Sequence, residues 1–132
     1  MGFNPQPDPP AFGMVTLSLR NQLIRINVAC FEHPVNGTPP DPCRGAFMFH
    51  DAAGGVVKSG RYELKPGEVV ALEYAMPVGD TTGNLIAGII PCVLPERGGR
   101  AVPNVEIVNR ASGDTSLLIN PAVDRMSQFQ KQ

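Results

Sequence analysis

Apolar and polar residues alternate along most of this chain. Val15-Thr16-Leu17-Ser18-Leu19 places an aliphatic side chain at every second position. From Leu23 to Phe31 the same beat sets Ile24, Ile26, Val28 and Cys30 on one side, with Arg25 and Asn27 on the other. A period of two marks a half-buried β-strand, because successive side chains on a pleated backbone point to opposite faces. Further strands are predicted from Cys43 to Asp51 and from Val56-Val57 toward Tyr62 and Leu64. In the first, Phe47 and Phe49 face inward and Met48 and His50 outward. Glu68 to Met76 alternates again, with Val70, Leu72 and Tyr74 on one face. Leu85–Val93 is nearly continuous in apolar residues, which predicts a central strand. Val102 to Asn109 turns Val105 and Ile107 inward, and Thr115 to Ile119 closes the series.

The breaks between these runs carry turn chemistry. His50 to Gly55 reads as a hairpin loop, with Gly54 in the left-handed position of a bulged turn. In Lys65-Pro66-Gly67-Glu68, Pro66 pre-sets the first central φ and Gly67 supplies the positive φ of a type II turn. Ala111-Ser112-Gly113 reverses the chain once more. Longer loops are predicted at His33–Pro42, Val78–Gly83 and Pro95–Arg100. About eight short strands at roughly ten-residue spacing predict an all-β protein, an antiparallel β-sandwich of the immunoglobulin or fibronectin kind with seven or eight strands. No helix of useful length is predicted before residue 121, and Ala122 to Gln132 has room for a turn or two of helix only.

Residues 1–13 stand apart from this pattern. Phe3 and Phe12 flank Pro5, Pro7, Pro9 and Pro10. Each proline holds φ at about −65°, lacks a donor and keeps the preceding residue extended. The segment therefore reads as a stiff polyproline-II arm. As a solvated leader it would have no use for two phenylalanines, whereas an arm that docks on its own domain or on a neighbour would. The expected organisation is an arm at 1–13, a sandwich at 14–120 and a tail at 121–132.

Composition narrows the function without naming it. The 132 residues suit one domain, and 42% hydrophobic content is enough for a core. Fourteen glycines and fourteen prolines punctuate the apolar runs rather than forming low-complexity filler. A net charge of −1 with scattered Lys and Arg lacks the basic footprint of a nucleic-acid binder. No run approaches the roughly 18 apolar residues of a membrane span. Neither a basic nor an apolar segment opens the chain, so no signal peptide is visible, and residence in a reducing cytosol or within an assembled particle is expected. Gln6 stands where a myristoylation motif needs Ser or Thr.

Cys30, Cys43 and Cys92 form an odd set without a Cys-x-x-Cys. Free thiols buried as small hydrophobes are the expectation, with a Cys43–Cys92 bridge as the alternative. Asn36-Gly37-Thr38 matches a glycosylation acceptor, read as chance in a chain without an export signal.

Catalytic chemistry finds little footing. His50 and Asp51 are adjacent and so point to opposite faces of a strand, and His50 lies seven residues from Cys43, again opposite. His33, Asp41, Cys43, His50 and Asp51 match no zinc spacing. Glu63, Glu68, Glu73 and Glu106 fall on outward or edge positions rather than across a cleft, where paired glycosidase carboxylates stand about 5–10 Å apart. Gly54-Gly55 and Gly98-Gly99 lack the Lys and helix of a phosphate loop. No cofactor and no metal are expected.

The string Met1-Gly2-Phe3-Asn4-Pro5-Gln6-Pro7-Asp8-Pro9-Pro10 resembles the start of a group of small, uncharacterised bacterial proteins. Further landmarks run through nearly the whole chain: Leu23-Ile24-Arg25-Ile26-Asn27-Val28, Pro42-Cys43-Arg44, Phe49-His50-Asp51-Ala52-Ala53-Gly54, Leu64-Lys65-Pro66-Gly67 and Val105 to Gly113. The resemblance implies a β-sandwich and brings no activity with it.

The functional expectation is a non-enzymatic assembly module that docks on protein, as a homo-oligomer or a subunit of a larger assembly. It would do so through the arm (Phe3, Pro5, Pro7, Pro9, Pro10 and Phe12) and through open sheet edges. An accessory subunit of a larger enzyme or particle is the alternative. A carbohydrate-binding module is a third reading, weakened by the absence of Trp and the presence of only two Tyr.

Overall fold

The computed structural model describes residues 12–31, 41–77, 86–96 and 100–120. Those residues build eight antiparallel strands in two four-stranded sheets. The strands are β1 (Val15–Ser18), β2 (Gln22–Cys30), β3 (Cys43–Asp51), β4 (Val56–Leu64), β5 (Val69–Tyr74), β6 (Ile86–Pro95), β7 (Ala101–Asn109) and β8 (Thr115–Ile119). Sheet A has the order β1-β6-β3-β4 and sheet B the order β5-β2-β7-β8. Only β3–β4 and β7–β8 are hairpins within a sheet, and every other connection passes from one sheet to the other. No helix occurs among the described residues. The expected sandwich is therefore present, with β6 central in sheet A as its apolar run predicts.

The inward residues are those set by the alternation. Ile24, Ile26 and Val28 of β2 and Val105 and Ile107 of β7 face Phe47 and Phe49 of β3 and Ile89 and Val93 of β6. Phe49 stacks on Tyr74 across the two layers with ring centroids 5.8 Å apart, and Phe47 meets Tyr62 edge-on at 5.5 Å. Such offset and edge contacts suit the ring quadrupoles. Gly45 is where Tyr62 crosses β3: a Cβ there would meet Tyr62 Oη and come within 2.6 Å of Leu94 O.

The predicted turns form as read. Gly67 has φ 92°, and Glu68 N donates to Lys65 O at 3.0 Å, closing the turn between the sheets. That turn is pinned to β2, because Gly67 N donates to Cys30 O and Cys30 N to Glu68 O. Gly54 (φ 95°) sits in the β3–β4 hairpin, beside a register shift at Phe49/His50.

One feature departs from expectation. Cys43 is bonded to Cys30, neither free nor joined to Cys92. The reason is parity. Cys30 and Cys43 both point inward from the ends of β2 and β3, with Cα atoms 5.6 Å apart, whereas Cys92 lies between inward Pro91 and Val93 and faces out. The bridge thus ties sheet B to sheet A. Prolines also enter central strands, Pro91 in β6 and Pro103 in β7. Pro91 lies beyond the last β1 pairing at Ile89, and Pro103 lies beyond the last β8 pairing at Val105. Each occupies a stretch where its strand has a neighbour on one side only, so a missing donor need cost no ladder bond.

Candidate docking surfaces

The arm can be followed only at its root. Phe3, Pro5, Pro7, Pro9 and Pro10 lie outside the described residues, as do the 33–40 part of the first long loop, Val78–Gly83, residues 97–99 and the tail. Phe12 is described and packs, partly buried, against the core of its own domain. Gly13 (φ 74°) then turns the chain into β1, and Met14 lies outside, 59% exposed.

The four edge strands differ in how they are protected. On β4, Arg61 and Glu63 point to solvent and pair with Glu96 and Arg44 at 2.7 and 2.6 Å. Lys58 Nζ donates to Glu73 O at 2.6 Å and so closes the β4/β5 side of the sandwich. β1 is only four residues long. β8, at five residues, is nearly as short but has no charged side chain. Its sequence Thr-Ser-Leu-Leu-Ile carries no charge and no proline, and among the described residues it pairs only with β7. Leu117 lies opposite inward Ile107 yet is 53% exposed, and Leu118 on the other face is 55% exposed. Edge strands are usually blunted by charge, proline or brevity.

The middle of sheet B's outer face is polar and internally satisfied, with exposed Val69, Val102 and Leu118 around it. Arg25 on β2 donates through Nε to Glu73 of β5 (2.7 Å) and through Nη1 to Glu106 of β7 (3.3 Å). Asn27 Nδ2 donates to Asn104 Oδ1 at 2.9 Å and to Glu106 Oε1 at 2.6 Å, while Thr115 Oγ1 of β8 donates to Glu106 Oε2. The hydrogen bonds from Thr115, Asn27 and Arg25 hold the Glu106 carboxyl below its ordinary range against the opposing effect of burial. This ladder laces four strands together, and its charges are spent on one another. Glu106 thus has a structural role beyond the solvated strand face predicted for it.

The remaining chemistry-bearing residues are also engaged. Asp51 Oδ1 accepts from Ala53 N and Gly55 N, and His50 Nδ1 sits 3.2 Å from Gly54 O, so both side chains hold the hairpin. Cys43 is oxidised, and His33 lies outside the described residues. Among the described residues no cluster of three or more His, Cys, Asp or Glu could hold a metal. An open depression of about 480 Å³ beside the β4–β5 turn is lined by Pro42, Glu63, Leu64, Lys65, Pro66 and Glu68. Its carboxylates are taken, Glu63 by Arg44 and Glu68 by Lys65 N. Tyr62 is buried in the core and Tyr74 packs, partly buried, against it. Burial raises the Tyr62 hydroxyl, with the charge of Glu96 adding to it, and burial likewise raises the Cys92 thiol. No helix among the described residues is long and apolar enough to cross a membrane. Comparison with models of protein families, with curated proteins and with solved structures returned no match to this chain.

Proposed function

We propose that this protein is a non-enzymatic assembly module that engages protein partners through its N-terminal arm and an open sheet edge. The observation that carries the reading is β8, an uncharged edge strand with two half-exposed leucines. An added strand would find free backbone groups there, and pockets for alternate side chains on either face. The arm supports the same reading. Phe12 anchors its root on the domain, and ten or so extended residues reach roughly 30 Å, enough to touch a neighbour. A place within an assembled particle suits the oxidised Cys30–Cys43 bridge better than a reducing cytosol does.

Removing residues 1–11, which spares Phe12, should leave the fold and melting intact but lower the native mass measured by light scattering. Leu118→Lys on β8 should do the same. An unchanged mass in both variants overturns the proposal. A chain that is monomeric alone yet recovered in a heteromeric complex from native cells would make it an accessory subunit using the same surfaces.

A further inference from the structure

The two outer faces of the sandwich are not alike. On sheet B the outward positions mix the Arg25, Glu73 and Glu106 ladder with Val69, Val102 and Leu118. On sheet A every outward position of β6 is apolar or glycine: Ile86, Gly88, Ile90, Cys92 and Leu94. Register extends that stripe onto β3, where Ala46 stands opposite Leu94 and Met48 opposite Cys92. Met14 reaches over from the start of β1 and lies on Gly88, where a Cβ would sit 2.6 Å from its sulfur. Ile86 is 70%, Met14 59% and Leu94 39% exposed. An antiparallel sheet with one face in water normally alternates polar residues outward, and a strand apolar on both faces is the pattern of one covered on both. Contiguous apolar surface of this kind is rare on a free-standing monomer.

We infer that the outer face of sheet A is an isologous interface on which a second copy of this chain packs, sheet to sheet. Two properties point to a copy. The rim is self-complementary: Arg44 and Arg61 alternate with Glu63 and Glu96, already paired in the single chain, so a two-fold mate brings no excess of like charge. The size also fits. Three strands of nine or ten residues and the four-residue β1, about 4.8 Å apart, present a face of about 500 Å². Two such faces bury about 1,000 Å², the area a specific interface needs to reach. This surface lies on sheet A, whereas β8 edges sheet B, so the two proposals can fail independently.

Cys92 reports on the interface directly. It is the free cysteine and sits on the outer side of a central strand, near the centre of the face and so close to its mate across a two-fold axis. With the full chain, a short bismaleimide should link two copies through Cys92 and give a species of twice the 14.1 kDa chain mass. Cys92→Ser should abolish the link. Ile90→Glu should abolish it too while leaving arm-dependent assembly unchanged, and Leu94→Lys, at a more exposed position, repeats the test should Ile90→Glu fail to fold. Unlinked chains whose Cys92 reacts freely with a monofunctional maleimide at every concentration would show an open face and overturn the inference. A Cys92 that resists the reagent in a strictly monomeric chain would overturn it equally, because a segment of the same chain would then be the cover.

Discussion

Breaking the Cys30–Cys43 bridge tests the way the two sheets are held together. The bonded residues are 13 apart in sequence. In the chain-entropy account, closing a loop of about this length restricts the unfolded chain by about 3 kcal/mol. Unfolding entropy of roughly 2.1 cal/mol/K per residue, over 132 residues, converts that loss into a fall in Tm of about 10 °C. The measurement is a melt followed by circular dichroism with and without reductant, made in Cys92→Ser so that no free thiol can shuffle the bridge. Urea unfolding in parallel should show a steeper m-value after reduction, because the released chain exposes more surface when unfolded. Thiol titration in denaturant without reductant supplies the stoichiometry: one reactive thiol in the natural chain and three after reduction. Three thiols at the outset, or a Tm that moves by less than about 3 °C on reduction, would refute the reasoning.

Three other perturbations probe the interior and the sheet B ladder. Gly45→Ala would drive a methyl group into Tyr62 Oη and Leu94 O, and denaturant titration should show a loss of about 2 kcal/mol or more. Tyr62→Phe removes a buried hydroxyl without a protein partner and should be neutral or stabilising by up to about 1 kcal/mol. Burial raises the Tyr62 pKa above 10.0, so the unfolded chain ionises first and stability falls as pH rises past 10; that decline should be smaller in the Phe variant, as read from melts across the alkaline range. Glu106 has the opposite sign: lowered from 4.5 in the folded chain, it contributes full stability above that value and loses it as pH falls through the folded one. Glu106→Gln should therefore flatten the acid limb of a stability profile, and an unaltered acid limb would remove Glu106 as its source.

The fold was legible because its determinant is local. A period of two assigns each residue of β2, β3 and β7 to a face, and Ile24, Ile26, Phe47, Phe49, Val105 and Ile107 all lie inside as their spacing requires. Pro66-Gly67 and Gly54 could be read for a similar reason, since their φ preferences belong to single residues. The disulfide was not legible. Cys30, Cys43 and Cys92 are all apolar by composition, and choosing a pair requires knowing which strand ends meet across the layers. Parity did carry part of the answer, because Cys43 shares a face with Phe47 while Cys92 sits one residue from inward Val93. The aligned pairing of Cys30 with Cys43 appears only once β2 and β3 lie in opposite sheets.

The same limit explains why the surface was harder to read than the core. Arg25, Glu73 and Glu106 look like three isolated solvated charges until β5, β2 and β7 are placed side by side, when they become one ladder. Ile86, Ile90, Cys92 and Leu94 look like half of a buried strand until β6 is seen to show its second apolar side to the outside. Alternation reports which residues share a side of their own strand, whereas sheet order decides which strands share a face. In this chain sheet order gathers the outward charges of sheet B into contacts with one another and the outward apolar residues of sheet A into a single stripe along β6 and onto β3. The polar ladder of sheet B is satisfied within the chain, whereas the apolar stripe along β6 gains free energy only when something covers it. Substitutions on sheet A's outer face should therefore change assembly with little effect on the fold, and substitutions in the Arg25–Glu106 ladder should change the fold with little effect on assembly.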